Sequence, residues 1–157
     1  MGIFSAIFGK KPQEAAFLSE LSERERIAVG TMSPMVYRAI AMEKNGHTIE
    51  LHGVDPNVLD CLRRLSPAEL ERLEKSAQSL RRADQFSSDD KMDAAAAAYR
   101  EAFESNPYND LAIMSYGCAL ANSGDVREGI KWVERSLALN PDNERAKRNL
   151  AGMRSLL

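Results

Sequence analysis

An all-α fold is predicted by three observations. Apolar residues recur at three- and four-residue steps through most of the chain. Ser33-Pro34, Asp55-Pro56 and Ser66-Pro67 pair a capping side chain with a proline, the pattern of a helix start. Asn106-Pro107 and Asn140-Pro141 stand 34 residues apart where helices would stop. At 157 residues the chain has the size of one domain. A hydrophobic share of 44% suffices for a core and excludes a disordered tail.

The elements follow in order. Ile3, Phe4, Ile7 and Phe8 form a short apolar stripe ended by Lys10, Lys11 and Pro12. It reads as a terminal helix capping the core, as a docking peptide for a partner, or as a membrane-surface foot over residues 1–11. A helix over Gln13–Val29 buries Ala16, Phe17, Leu21, Ile27 and Ala28, and its run Glu23 to Arg26 faces solvent. The helix opened by Ser33-Pro34 buries Met35, Val36, Ala39, Ile40 and Met42 and stops at Asn45-Gly46. His47 to His52 alternates like a strand but has no evident partner, so it is read as an extended connection. Asp55-Pro56 opens a short helix through Leu59, Leu62 and Leu65. Ser66-Pro67-Ala68-Glu69 carries a capping box and opens a long one to Phe86. Ser87 to Asp90 and Asn122 to Asp125 are turns, flanked by helices over Lys91–Ser105, Leu111–Ala121, Val126–Leu139 and Glu144–Leu157.

A shift of 34 residues aligns more than the prolines. Ala83 meets Gly117 and then Ala151; Phe86 meets Leu120, Asp90 meets Gly124, Ala95 meets Gly129, Tyr99 meets Val133 and Ala102 meets Ser136. Small residues recur where two helices of a hairpin would cross, and Gly117 is expected to lie against Gly129. This pattern resembles the tetratricopeptide repeat. The resemblance rests on Tyr116, Gly117, Leu120, Gly124-Asp125, Gly129, Val133, Ser136, Leu137 and the run Leu139 to Asn143. It is strong over residues 110–143 and weaker over 76–109, where Arg82 and Asp90 replace the apolar residue and the turn glycine. Residues 144–157 look like the solubilising end helix of such an array. Residues 1–75 fit no repeat and are read as an amino-terminal helical cap, or a family-specific segment, packed on it.

Little in the chain points to chemistry. Lys and Arg number 21 against 23 Asp and Glu, a net charge of -2, so no nucleic-acid partner is expected. His47 and His52 are five apart and match no zinc spacing. No glycine-rich phosphate loop or nucleophile–base pair stands out. No catalytic, cofactor or metal residues are assigned, and an enzyme with an unrecognised site is the remote alternative. Cys61 and Cys118 read as unpaired thiols in a reducing compartment. With no membrane-spanning stretch and no charge order of a signal peptide, a cytoplasmic protein is expected.

In the repeat family the first helix of each hairpin lines a concave face that receives peptides. The resemblance thereby implies Ala77, Leu80, Asp84, Leu111, Met114, Cys118, Arg145 and Arg148 as lining candidates. Leu80, Leu111, Met114 and Cys118 make this face mostly apolar. Leu80 and Asp84 stand where a clamp for acidic carboxy-terminal tails has lysine and asparagine, so that specialised role is not expected. An apolar groove could hold a partner's helix or strand, or be filled by the chain's own amino-terminal helices. The expected function is a non-enzymatic interaction scaffold for a protein or peptide partner. Alternatives are a small chaperone like those of secretion systems, holding a hydrophobic partner segment, and self-association through the exposed face.

Overall fold

The computed structural model describes residues 21–157, the side chain of Glu23 excepted. The proposed stripe Ile3, Phe4, Ile7 and Phe8, and the first part of the helix expected from Gln13, lie outside the described residues. Eight helices and no strand are found among those described. They are α1 (Glu23–Gly30), α2 (Pro34–Lys44), α3 (Pro56–Arg64), α4 (Pro67–Ser88), α5 (Met92–Ser105), α6 (Asp110–Asn122), α7 (Val126–Leu139) and α8 (Glu144–Arg154). The fold is all-α, as expected. Residues 47–54 connect α2 to α3 without joining a sheet.

The helix starts follow local chemistry. Ser33, Asp55 and Ser66 each accept a backbone N–H of the first turn, with proline behind them, and Ser66 and Glu69 close a capping box. A second capping box was missed. Ser22 and Glu25 close one at the head of α1, so α1 starts at Glu23, and Leu21 and Ser22, which the expected helix Gln13–Val29 included, are not helical. The charged run there starts a helix as well as facing solvent.

In α2 the predicted face is rotated. Tyr37, Ala39 and Ile40 are buried, while Met35 and Met42 are exposed, Met35 by 71%. Tyr37 decides the face because its polar end finds partners inside. Its hydroxyl donates to Val29 O at 2.7 Å and accepts from Met32 N at 3.0 Å, which ties α1 to α2.

The helices α4 to α7 form two hairpins, α4–α5 and α6–α7, whose bonds repeat at the 34-residue offset. Lys91 N donates to Phe86 O and Asp125 N to Leu120 O, both at 2.9 Å. Asp90 and Gly124 occupy the left-handed region at these turns, with φ of 59° and 101°. Ser76 Oγ donates to Ala102 O; the equivalent positions are joined in the opposite direction, Ser136 Oγ donating to Asp110 O. Asn109 caps α6 and donates to Ser76 Oγ at 3.1 Å; Asn143 caps α8 and donates to Asp110 Oδ2 at 2.9 Å. One asparagine thus starts a helix and fastens it to the preceding hairpin. The other asparagine of each loop has a different partner. Asn140 Nδ2 also reaches Asp110 Oδ2, whereas Asn106 Nδ2 reaches Gly30 O at the end of α1.

Gly117 and Gly129 meet as expected. A Cβ on Gly117 would lie 2.7 Å from Gly129 O, and one on Gly129 would lie 2.5 Å from Gly117 O. Backbone meets backbone there, and neither position has room for a side chain.

The largest core cluster runs from Leu21, Val29, Tyr37, Ile40, Leu62 and Leu65 to Leu70, Leu73, Phe103 and Ile113. Residues 21–65 therefore build one core with the hairpins. The boundary drawn at 75/76 falls within α4 and marks the repeat frame. A second cluster sits inside the first hairpin around Ala83, Ala95 and Tyr99. A third joins Met114 and Val133 to Ala146, Leu150 and Met153 of α8.

Candidate functional site

The expected lining residues divide into two groups. Met114 is fully buried, and Leu111 packs beside it against the cluster that α8 completes. Ala77 is buried in the first cluster, and Leu80 is half-buried between the first and second. The apolar groove expected from Leu80, Leu111 and Met114 is thus largely filled: Met114 is buried in the cluster that α8 completes, while Leu80 and Leu111 stay half-buried against their neighbouring clusters. The physical reason is the price of leaving such side chains wet, about 1.5–3 kcal/mol each.

Cys118, Arg145 and Arg148, by contrast, come together. They line a cleft of about 460 Å³ between α6 and α8, with Ser87 and Tyr99 of the first hairpin at its side. That volume lies within the range of ligand clefts. The α8 sequence makes this wall. Ala146, Leu150 and Met153 turn inward at four- and three-residue steps, which leaves Arg145, Arg148, Asn149 and Gly152 facing the cleft. From α6 come Ser115, Cys118, Ala119 and Asn122; Met153 and Leu156 supply an apolar end. Asp84 is not part of the lining. It is exposed and accepts the Tyr99 hydroxyl at 2.7 Å.

The electrostatics of the cleft are one-sided, since its lining contains no carboxylate. Lys147 and Arg154, the other cations of α8, pair with Glu144 and Glu134 at 2.7 and 2.8 Å. Arg145 and Arg148 make no hydrogen bond or ion pair among the described residues. The Cys118 thiol is pushed up by burial, with the nearby Arg145 charge and the Asn149 amide opposing; Asn149 Nδ2 lies 3.2 Å from its sulfur. Tyr99 is pushed up to about 12, first by burial and then by the Asp84 carboxylate it bonds, while Ser87 and Ser115 pull the other way.

Sequence reasoning named three of the cleft residues and missed Ser87, Tyr99, Ser115, Asn122 and Asn149. The signal was available for two of them: Asn122 and Asn149 lie one helical turn beyond Cys118 and Arg145. A second cleft, of about 650 Å³, lies between α1 and α3 and includes Glu25, Asp55, Asp60 and Cys61. Glu25 and Asp55 are already engaged as helix-capping groups. His47 and His52 are exposed, and no group of three potential metal ligands is found among the described residues. Both cysteines are free, and no described helix is long and apolar enough to cross a membrane.

No family model, curated protein or solved structure matches the chain.

Proposed function

We propose that residues 76–157 form a tetratricopeptide-type array of two hairpins and an end helix. On this reading the protein is a non-enzymatic interaction scaffold that holds a segment of a partner protein in the cleft between α6 and α8. Support for the array comes from the recurrence of turn, crossing and asparagine bonds at one offset. Support for the function comes from one observation above all: a cleft within the size range of ligand sites is lined by hydrogen-bonding groups whose capacity the fold leaves unused. Arg145, Arg148 and Asn122 are the clearest of these. Asn149 spends an amide N–H on Cys118 and keeps its carbonyl. A peptide main chain needs such donors and acceptors. The arginine and amide groups set among the apolar lining favour this reading over a chaperone that sequesters an apolar helix.

Selection of a random-peptide display library on the immobilised full chain tests it. Enrichment of peptide sequences is expected, together with its loss on Ser115→Trp, which fills the cleft. Absence of enrichment, or enrichment untouched by that substitution, would overturn the reading.

A further inference from the structure

The four cations of α8 are sorted by direction. Lys147 and Arg154 each have a carboxylate of this chain beside them, and neither lines the cleft. Arg145 and Arg148 line it and form no ion pair among the described residues: Glu144, next to Arg145 and one turn before Arg148, pairs with Lys147 and gives Arg148 only a weaker, longer-range attraction. No carboxylate lines the cleft; Asp84 behind the Tyr99 hydroxyl and Glu144 near Arg148 offset the positive potential there only in part.

The spacing adds a second constraint. Residues three apart on a helix present Cβ atoms about 5–6 Å from each other. In an extended strand, alternate side chains point the same way and stand about 6.6 Å apart, twice the rise per residue. Two carboxylates at alternate positions of an extended peptide therefore match two guanidiniums at 145 and 148. A residue further along the same face would meet the apolar end at Met153 and Leu156.

We infer that the cleft selects an extended acidic segment of a partner protein, in which two side-chain carboxylates separated by one residue engage Arg145 and Arg148. The recognition is of side-chain carboxylates and does not require a chain terminus, so it stands apart from a tail clamp, whose positions in the first hairpin hold Leu80 and Asp84. This inference rests on the cleft being a peptide site.

The test uses the peptides enriched by display on the full chain. Those peptides should carry Asp or Glu at alternate positions. Synthetic, amidated, fluorescein-labelled copies should lose about tenfold or more in affinity when the two carboxylates become amides, as expected for charge-assisted bonds. Arg145→Ala and Arg148→Ala should each weaken binding about fivefold or more. Lys147→Ala and Arg154→Ala remove the same charge from the same helix and should change it less than about twofold. All four positions are exposed, and melting curves that stay superimposable establish that the fold is kept. Enriched peptides without carboxylates that are indifferent to Arg145→Ala would overturn the inference and leave the peptide site standing. Equal losses in all four variants would overturn it as bulk charge attraction. Tighter capture of single-stranded RNA, or competition by inorganic phosphate at the peptide's own concentration, would overturn it in favour of a general anion site.

Discussion

In the first hairpin Ala83 and Ala95 stand at the positions that Gly117 and Gly129 hold in the second, and Asp90 takes the left-handed turn that Gly124 takes there. Ala83 and Ala95 are both fully buried in the cluster inside the first hairpin, whereas the second crossing brings main chain against main chain. The hairpins also differ in what seals them. The first helix of one lies against α2 and shares its core with Leu21 to Leu65; the first helix of the other meets α8 and leaves a cleft beside it. A common frame thus fixes where helices turn and cross. The elements packed at each end decide which side is interior and which is available to a partner.

The largest expected effect probes the crossing. Gly117→Leu should destabilise the protein by about 3 kcal/mol, because its side chain would meet the Gly129 carbonyl and the main chain cannot move aside cheaply. Ala83→Gly, the reverse change in the first hairpin, should cost only about 1 kcal/mol through helix propensity. Urea unfolding followed by the single tryptophan, Trp132, measures both; it packs against Phe103 and Tyr116 and will report loss of that contact. Equal costs would break the distinction between the crossings.

The paired asparagines come next. Asn109 and Asn143 each cap a helix and bond the previous hairpin, but Asn109 is 1% exposed and Asn143 is half-buried. Asn109→Ala should cost about 2 kcal/mol and Asn143→Ala about 1 kcal/mol in the same assay. A reversed order would show that α8 is held more firmly than the first junction.

Much of this fold was legible because it repeats. Two Asn-Pro pairs, the small residues at the crossings and the turn at Gly124 gave the frame and the Gly117–Gly129 contact. Proline starts gave α2, α3 and α4. What escaped was directional. Nothing local in Met35 or Met42 says that the Tyr37 hydroxyl will find Val29 O and turn α2 to bury that face. Nothing in Leu111 or Met114 says that α8 will cover them. The same packing decides the cleft: the family resemblance implies Cys118, Arg145 and Arg148 as lining residues, but which cations form an ion pair emerges only in three dimensions. Ser22-x-x-Glu25 was a readable start signal obscured by its charged neighbours.

Smaller effects sharpen the turn comparison. Asp90→Gly should stabilise by about 1 kcal/mol, because it relieves a left-handed residue bearing a side chain, and Gly124→Asp should destabilise by a similar amount. Thermal melting of the two variants checks the opposite signs.

The remaining effect is a pH dependence confined to alkaline solution. Tyr99 and Tyr37 both hold their protons more tightly in the fold than in the unfolded chain, where they titrate near 10. Their stabilisation is fully present below pH 10 and falls as the pH rises toward the folded values, about 12 for Tyr99. Unfolding temperatures should decline over that window, with Tyr99→Phe flattening part of the decline.

Nitrogen-edited NMR of the full chain, titrated with a display-selected acidic peptide, tests the central claim most directly. Amide shifts should concentrate on Ser115, Cys118, Asn122 and the stretch Arg145 to Gly152, with the α1–α3 cleft around Cys61 unmoved. Shifts centred on Ser22 to Cys61, or spread evenly over every basic surface, would contradict the assignment of the binding face.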